Sequence, residues 1–290
     1  MKTSSEINSA AKRIGEEKTI EMMARAGFDA WDFSMFRMAC TDRDTHSACL
    51  NPDHPLGGRD YLAFARKLRR VGEDCGIVCN QSHAPFPSYY AGMDAPLKRA
   101  LECTAEAGAS ICVIHPDNYK SAEENAEFFL ELLPFARGCG VKIATENMWL
   151  WNDEKNESAF AACSTATDFR RHIDAVNDPF LIACLDIGHA EMRGSGDGAA
   201  HMIRTLGPRL GALHLHDNDK WKDSHQIPFS MQIDFEAVVR ALHEVGYAGD
   251  MTLEADQYLA AYTDDGIGEG ILELSCVARR LAEMYKSLSK

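Results

Sequence analysis

Long apolar runs are missing. No segment approaches the ~20 consecutive apolar residues that a membrane-spanning helix needs, so no membrane partner is expected. Positive charge is scarce. Against 44 Asp and Glu the chain has 30 Lys and Arg, a net charge of -14 that repels a polyanion such as DNA unless a local basic patch intervenes. The densest basic group, Arg66, Lys67, Arg69 and Arg70, falls on an expected helix and reads as a solvated face. The ten cysteines include no Cys-x-x-Cys pair and lie mostly in apolar runs (Cys79, Cys112, Cys184) or expected helices (Cys103, Cys139, Cys276). With no apolar secretory segment near the N-terminus, this usage points to reduced thiols and a cytoplasmic protein. No linker divides the 290 residues, so one domain over 1–290 is expected.

What is present is alternation. Helical periodicity covers 16–26, 59–75, 94–107, 121–138, 165–176, 198–206, 235–245 and 268–287. Between these lie short runs rich in β-branched and aliphatic residues, at 28–35, 77–83, 110–115, 141–146, 180–186, 210–216 and 250–255. Several of the helices stop at a glycine just before the next run, as at Gly27, Gly76 and Gly108. Repeated βαβ units with short joins specify a parallel sheet. A doubly wound sheet would carry a Gly-rich dinucleotide fingerprint after its first strand, and none is present. The expected fold is therefore an α/β (β/α)8 barrel, for which about 250 residues is typical. Seven strands are evident. The eighth belongs before residue 16, where MKTSSEINSAAKRIG is a poor strand, so it is either short and degenerate or absent. A long polar loop containing Trp149 and Trp151 is expected over 147–164.

The ends of the strands carry the chemistry. His83 ends CNQSH and His115 ends ICVIH. Glu146 ends KIATE, Asp186 and His189 lie in CLDIGH, and His214, His216 and Asp217 lie in LGALHLHD. Glu254 closes the series in MTLEA. In a (β/α)8 barrel these positions surround one point at the C-terminal face. Unpaired buried carboxylates are costly, so a cation at that point accounts for so many ionisable groups. Oxygen and nitrogen donors without thiolate suit Mn²⁺, Mg²⁺, Co²⁺ or Zn²⁺. His214 and His216 point to one face of their strand, and either could be a ligand. Asp223-Ser224-His225 follows in the next loop. No Gly-rich phosphate cradle follows the last strands. GDGAAH (196–201) is the nearest candidate, and a non-phosphorylated substrate is favoured.

From GFDAWDFSM through the last strand, these residues resemble the sugar phosphate isomerase/epimerase superfamily of xylose isomerase-like TIM barrels. That superfamily includes ketose 3-epimerases, inosose-processing enzymes and apurinic endonucleases. In the epimerases, a Glu, an Asp, a His and a second Glu from four strands hold one divalent cation. The resemblance assigns these roles to Glu146, Asp186, His214 and Glu254. His214 is favoured over the alternative His216 for its spacing from Gly211. His189 matches a substrate-contacting histidine, and His83, His115, His216, His225 and Trp149 are placed with it around the substrate. The endonucleases hold three zinc ions, and every ligand type has a counterpart here in His83, His115, Glu146, Asp186, His189, His214, Asp223, His225 and Glu254. One element departs from the pattern. Where the family often has Pro-Gly-x-Gly, this chain has IPFSMQIDF (227–235), so an altered pocket is expected.

The resemblance implies metal-assisted isomerisation or epimerisation of a ketose, a related polyol-ketone or its phosphate through an enediolate. Glu146 and Glu254 would be the acid/base pair. The alternatives are an apurinic endonuclease-like zinc phosphodiesterase and a dehydratase of a cyclic polyol-ketone. A basic or aromatic loop fit to grip a bent duplex is missing, so nucleic acid is not favoured as partner. By analogy with the family, the chain is expected to form homo-oligomers.

Overall fold

The computed structural model describes residues 1–288. Eight parallel strands form its centre: β1 (Thr3–Ser5), β2 (Ala30–Ser34), β3 (Val78–His83), β4 (Ile111–Val113), β5 (Lys142–Glu146), β6 (Leu181–Asp186), β7 (Leu210–His214) and β8 (Met251–Leu253). Strands β2 to β7 are hydrogen-bonded in sequence order as one sheet. Strand β8 pairs with β1, Thr3 opposite Met251 and Ser5 opposite Leu253. Single bridges, Leu215 to Leu253 and Glu6 to Asp32, complete the ring. Closure leaves the barrel no open sheet edge.

The strand hidden in the sequence is β1, and it is short rather than absent. Its three side chains all carry hydroxyls, yet all three are buried. Each hydroxyl that leaves water needs a partner. Thr3 Oγ1 donates to Asp29 at 2.8 Å, and Ser4 Oγ donates to Asn80 Oδ1 at 2.7 Å. From Asn80 a polar chain crosses the barrel interior. Asn80 Nδ2 donates to Thr252 Oγ1 (3.0 Å), which donates to Gln81 Oε1 (3.4 Å), while Gln81 Nε2 donates to Asp32 Oδ2 (2.9 Å). Above this floor, Val113, Ala144, Cys184 and Ala212 from four adjacent strands pack as a separate small-residue layer.

Helices cover the outside where the periodicity places them, among them Tyr61–Asp74, Asp94–Ala107, Ala122–Cys139, Ala166–Val176, Phe235–Glu244 and Ile267–Ser287. Trp31, Phe129, Phe169 and Phe235 are fully buried in the hydrophobic core. Gly27 and Gly108 end their helices at φ of 91° and 88°, a left-handed conformation open to glycine at little cost. The basic group at 66–70 is largely a paired surface: Arg66 with Glu106, Lys67 with Glu17 and Arg69 with Glu73.

Two hairpins on the strand-to-helix loops were not expected. Residues 147–164 contain the antiparallel pair Trp149–Asn152 and Glu157–Phe160 instead of a featureless loop. The alternation of Trp149 and Trp151 with Leu150 and Asn152 suits a strand, and Asp153 to Asn156 supply the polar turn. A similar pair, Ala39–Asp42 and Ser47–Leu50, follows β2. No helix among the described residues is long and apolar enough to cross a membrane.

Candidate functional site

Strand direction decides what meets at the C-terminal end of the barrel. Glu146 and Asp186 are the last residues of β5 and β6, His214 is the last of β7, and Glu254 immediately follows β8. All four are buried, and each offers one donor atom within 4.8 Å of the others. His214 Nδ1 lies 3.2 Å from Glu146 Oε2 and 3.2 Å from Glu254 Oε2. Behind it, His214 Nε2 is 3.5 Å from Asp32, where the polar chain of the barrel interior ends.

The chemistry of this donor set fits a divalent cation. Glu146 Oε2 and His214 Nδ1 are buried and make no hydrogen bond. Buried polar atoms are rarely left so in native proteins, and a cation that takes them as ligands is one recognised reason for it. Three carboxylates and one imidazole suit Mn²⁺, Mg²⁺, Co²⁺ or Zn²⁺. Electrostatics within the set are strong. Burial opposes charge on Glu146, but His214, His115 and His83 together hold its carboxyl well below the usual range. Burial drives the Glu254 carboxyl well above its range; Glu146 adds to this and His214 opposes it.

Two further groups adjoin the first. His189, His216, Asp223 and His225 present donors within 4.8 Å of one another, as do His83, His115 and Glu146. The structure thus separates the two histidines that the strand pattern left equivalent. His214 faces Glu146 and Glu254, whereas His216 donates from Nε2 to Asp186 at 3.0 Å and stacks on His225. Asp186 belongs to the first group and touches the second. His189 is fixed at both ring nitrogens, Nδ1 to the Asn147 carbonyl (2.9 Å) and Nε2 to Asp223 (3.1 Å). Burial works against its charge, but Asp186 and Asp223 raise it to about 10. His115 moves the other way, to about 4, because burial outweighs the help from Glu146.

These groups open into a cavity of about 380 Å³. His83, His115, Glu146, His189, His225 and Glu254 all line it, and so does Trp149. Trp149 donates from Nε1 to Asp223 at 3.2 Å, which holds the first strand of its hairpin over the site. Trp151, on the same strand, is 38% exposed, packs edge-on to Trp149 and does not line the cavity. Phe36 and Phe86 form an apolar wall, with ring centroids 4.9 Å apart, and Phe36 packs edge-on to His83. The pattern of strand ends contains no signal for either phenylalanine, because Phe36 begins a short 3-10 helix and Phe86 lies on a loop. Asp32 was legible only as one member of an alternating strand, and Asn147 had no signal at all.

Two sequence features have structural roles. Asp217 accepts from the amides of Met231 (2.8 Å) and Ile233 (3.0 Å), and so ties down the IPFSMQIDF loop where glycines were expected. The helix start in GDGAAH is occupied by the chain itself, because Ala199 N donates to Glu191 at 2.9 Å.

Residues 20–275 match the family model described as xylose isomerase-like TIM barrel. An uncharacterized protein of Methanocaldococcus jannaschii is 27% identical over 286 residues, 92% of this chain and 88% of that protein. Among solved structures, a D-tagatose 3-epimerase-like protein superimposes with a TM-score of 0.71 at 19% identity, covering 100% of both chains. A D-psicose 3-epimerase from Clostridium cellulolyticum, solved with D-tagatose, gives 0.67 at 18% identity over 99% of each chain.

Proposed function

The chain belongs to the xylose isomerase-like TIM barrel family, and on that premise we propose that it is a divalent metal-dependent isomerase or epimerase of a ketose or a related polyol-ketone. The observation that carries the reading is the position of the buried His214 Nδ1, 3.2 Å from a carboxylate oxygen of both Glu146 and Glu254, the two glutamates that line the cavity. Glu146, Asp186, His214 and Glu254 would hold the cation. When bound there, it would polarise a substrate carbonyl and offset the negative charge that develops on oxygen.

The chain's own residues supply the proton transfers. One of Glu146 and Glu254 removes the proton α to the carbonyl, which gives an enediolate. The other returns a proton to the opposite face for epimerisation, or to the neighbouring carbon for isomerisation. The two carboxyls follow strands β5 and β8, so they approach a bound sugar from different sides of the barrel. His189, held by Asn147 and Asp223, is placed to orient a substrate hydroxyl. Trp149 would cover the sugar face and exclude water. A cytoplasmic location is part of the proposal, and all ten cysteines are free.

The test is proton exchange. Each of a panel of ketopentoses and ketohexoses is incubated in D₂O with the protein and Mn²⁺, Mg²⁺, Co²⁺ or Zn²⁺, and followed by NMR. Deuterium should enter at the carbon next to the carbonyl, and only when a divalent ion is supplied. Absence of exchange across the whole panel would overturn the assignment.

One observation favours a second reading, zinc-dependent phosphodiester cleavage. The donors form several overlapping groups and not one, which allows more than one cation per chain. Against it, no Lys or Arg lines the cavity among the described residues, and a phosphodiester would meet a strongly acidic molecule. Cleavage of abasic-site DNA would decide for this reading.

A further inference from the structure

A second cavity, of about 250 Å³, meets the first at Ser88 and Tyr89, which line both. The proton transfers described above make no use of it. Its walls combine aromatic and acidic groups: Tyr89 and Tyr90 with Asp94, Asp117 and Glu131, and one cation, Lys120.

Both sides of this cavity are held in place by contacts behind them. On one side, Ser88 Oγ donates to the His115 carbonyl at 2.7 Å, and Tyr90 stacks on His46 with centroids 5.3 Å apart. On the other, the fully buried Asn125 clamps the loop that carries Asp117 and Lys120. Its Oδ1 accepts from Asp117 N (2.8 Å), and its Nδ2 donates to the carbonyls of Asp117 (3.1 Å) and Lys120 (3.2 Å). Fixed walls lower the ordering cost of binding. Tyr119 stands at the rim, 71% exposed, with its ring edge-on to Tyr89 at 5.9 Å.

Charge selects the class of occupant. Of the three carboxylates, Asp94 pairs with Lys98 outside the lining (3.0 Å) and Asp117 with Lys120 (3.7 Å), which leaves Glu131 unpaired in the wall, so a phosphate or carboxylate would be repelled. Glu131 makes no ion pair or hydrogen bond among the described residues and is free to accept from hydroxyls. Aromatic faces that pack C–H groups, beside carboxylates that accept O–H groups, suit a neutral polyhydroxylated ring. We propose that the substrate is a ketose extended by a second, uncharged sugar residue. The reacting ketose lies over Glu146 and Glu254, and the second ring passes Tyr89 into this cavity. The inference rests on the isomerase/epimerase reading and narrows its substrate class.

The experiment compares D-fructose with three ketodisaccharides of different linkage, lactulose, maltulose and isomaltulose. Affinity is measured by calorimetry on the Mn²⁺-loaded protein, and saturation-transfer NMR reports which ring is in contact. At least one disaccharide should bind about tenfold more tightly than fructose, with saturation reaching its second ring. In Tyr119→Ala and Glu131→Ala, the ratio of disaccharide to fructose affinity should fall back towards one. Equal affinities in the wild type, or an advantage that survives both substitutions, would overturn the inference and leave the isomerase reading standing on fructose. Failure to bind any of the four sugars would overturn both.

Discussion

Gly188 and His216 occupy space that a single methyl group would fill. A Cβ built on Gly188 would lie 1.9 Å from His216 Cε1 and 2.4 Å from its Nε2, the atom that donates to Asp186. This relationship gives the glycine of LDIGH its purpose. It lets the ring of one strand-end histidine lie against the helical turn that begins after Asp186, so the two donor groups share a wall.

The first prediction follows directly. Gly188→Ala must displace a fully buried imidazole or the turn itself, and overpacking of this kind costs about 1–3 kcal/mol. For a chain of this size the melting temperature should fall by several degrees, roughly 2–4 °C per kcal/mol. Because His216 leaves Asp186, ketose turnover should fall with it. Thermal melting and the NMR exchange assay on the variant check both parts.

A second prediction concerns the acid/base pair. Glu146→Gln and Glu254→Gln preserve shape and remove proton-transfer capacity. Each should lower turnover by about 10²–10⁴-fold while circular dichroism and melting stay close to wild type. Full activity in either variant removes that residue from the mechanism.

Glu6 supplies a pH test away from these ligands. It is buried at the end of β1, accepts from Asn8 N and Ser34 Oγ, and its carboxyl is raised to about 7, first by burial and then by Asp256. A raised carboxyl makes the folded state bind more protons than the unfolded one between the ordinary glutamate value of 4.5 and about 7. Stability therefore falls as pH rises through that window, and the loss is complete above it, at about 3 kcal/mol by linkage. Glu6→Gln keeps an acceptor and cannot ionise. Its melting temperature should exceed that of wild type at pH 8, and the gain should disappear by pH 4.5. A gain of equal size at both pH values would point to packing rather than ionisation.

Trp149 tests the roof of the cavity. Its indole donates to Asp223, which also accepts from His189 and His225. Trp149→Phe removes the hydrogen bond but keeps a ring, whereas Trp149→Ala removes both. Affinity for the sugar should fall by roughly tenfold in the alanine variant and by less in the phenylalanine variant, an ordering expected of an aromatic face over a sugar. Steady-state kinetics with the identified ketose would show it as a rise in KM larger than any fall in kcat.

Much of the fold was legible because periodicity changes sharply between strand and helix. Strands β2 to β8 lie inside the runs read from the sequence, and Asp94–Ala107 coincides with its expected helix. Strand β1 was hidden because barrel closure, and not apolar side chains, makes it a strand. Thr3 to Ser5 sit between β8 and β2, and Thr3 and Ser4 satisfy their hydroxyls on Asp29 and Asn80. Glu146, Asp186, His214 and Glu254 were legible because each ends or directly follows a strand. Their division into groups was not, since alternation places His214 and His216 on one face, whereas β7 ends at His214 and His216 lies beyond it. Asp32 and Asn147 act through other side chains, a relation that spacing does not encode.

The central claim is that Glu146, Asp186, His214 and Glu254 hold a divalent cation. Its most direct test is calorimetric titration of chelator-stripped protein with Mn²⁺ and, separately, Zn²⁺, in wild type and in His214→Ala, with elemental analysis of the purified protein alongside. The account predicts one tight site in wild type, weakened at least about tenfold in His214→Ala. It would be contradicted by wild-type protein that binds neither metal, or by binding that the loss of His214 leaves unchanged.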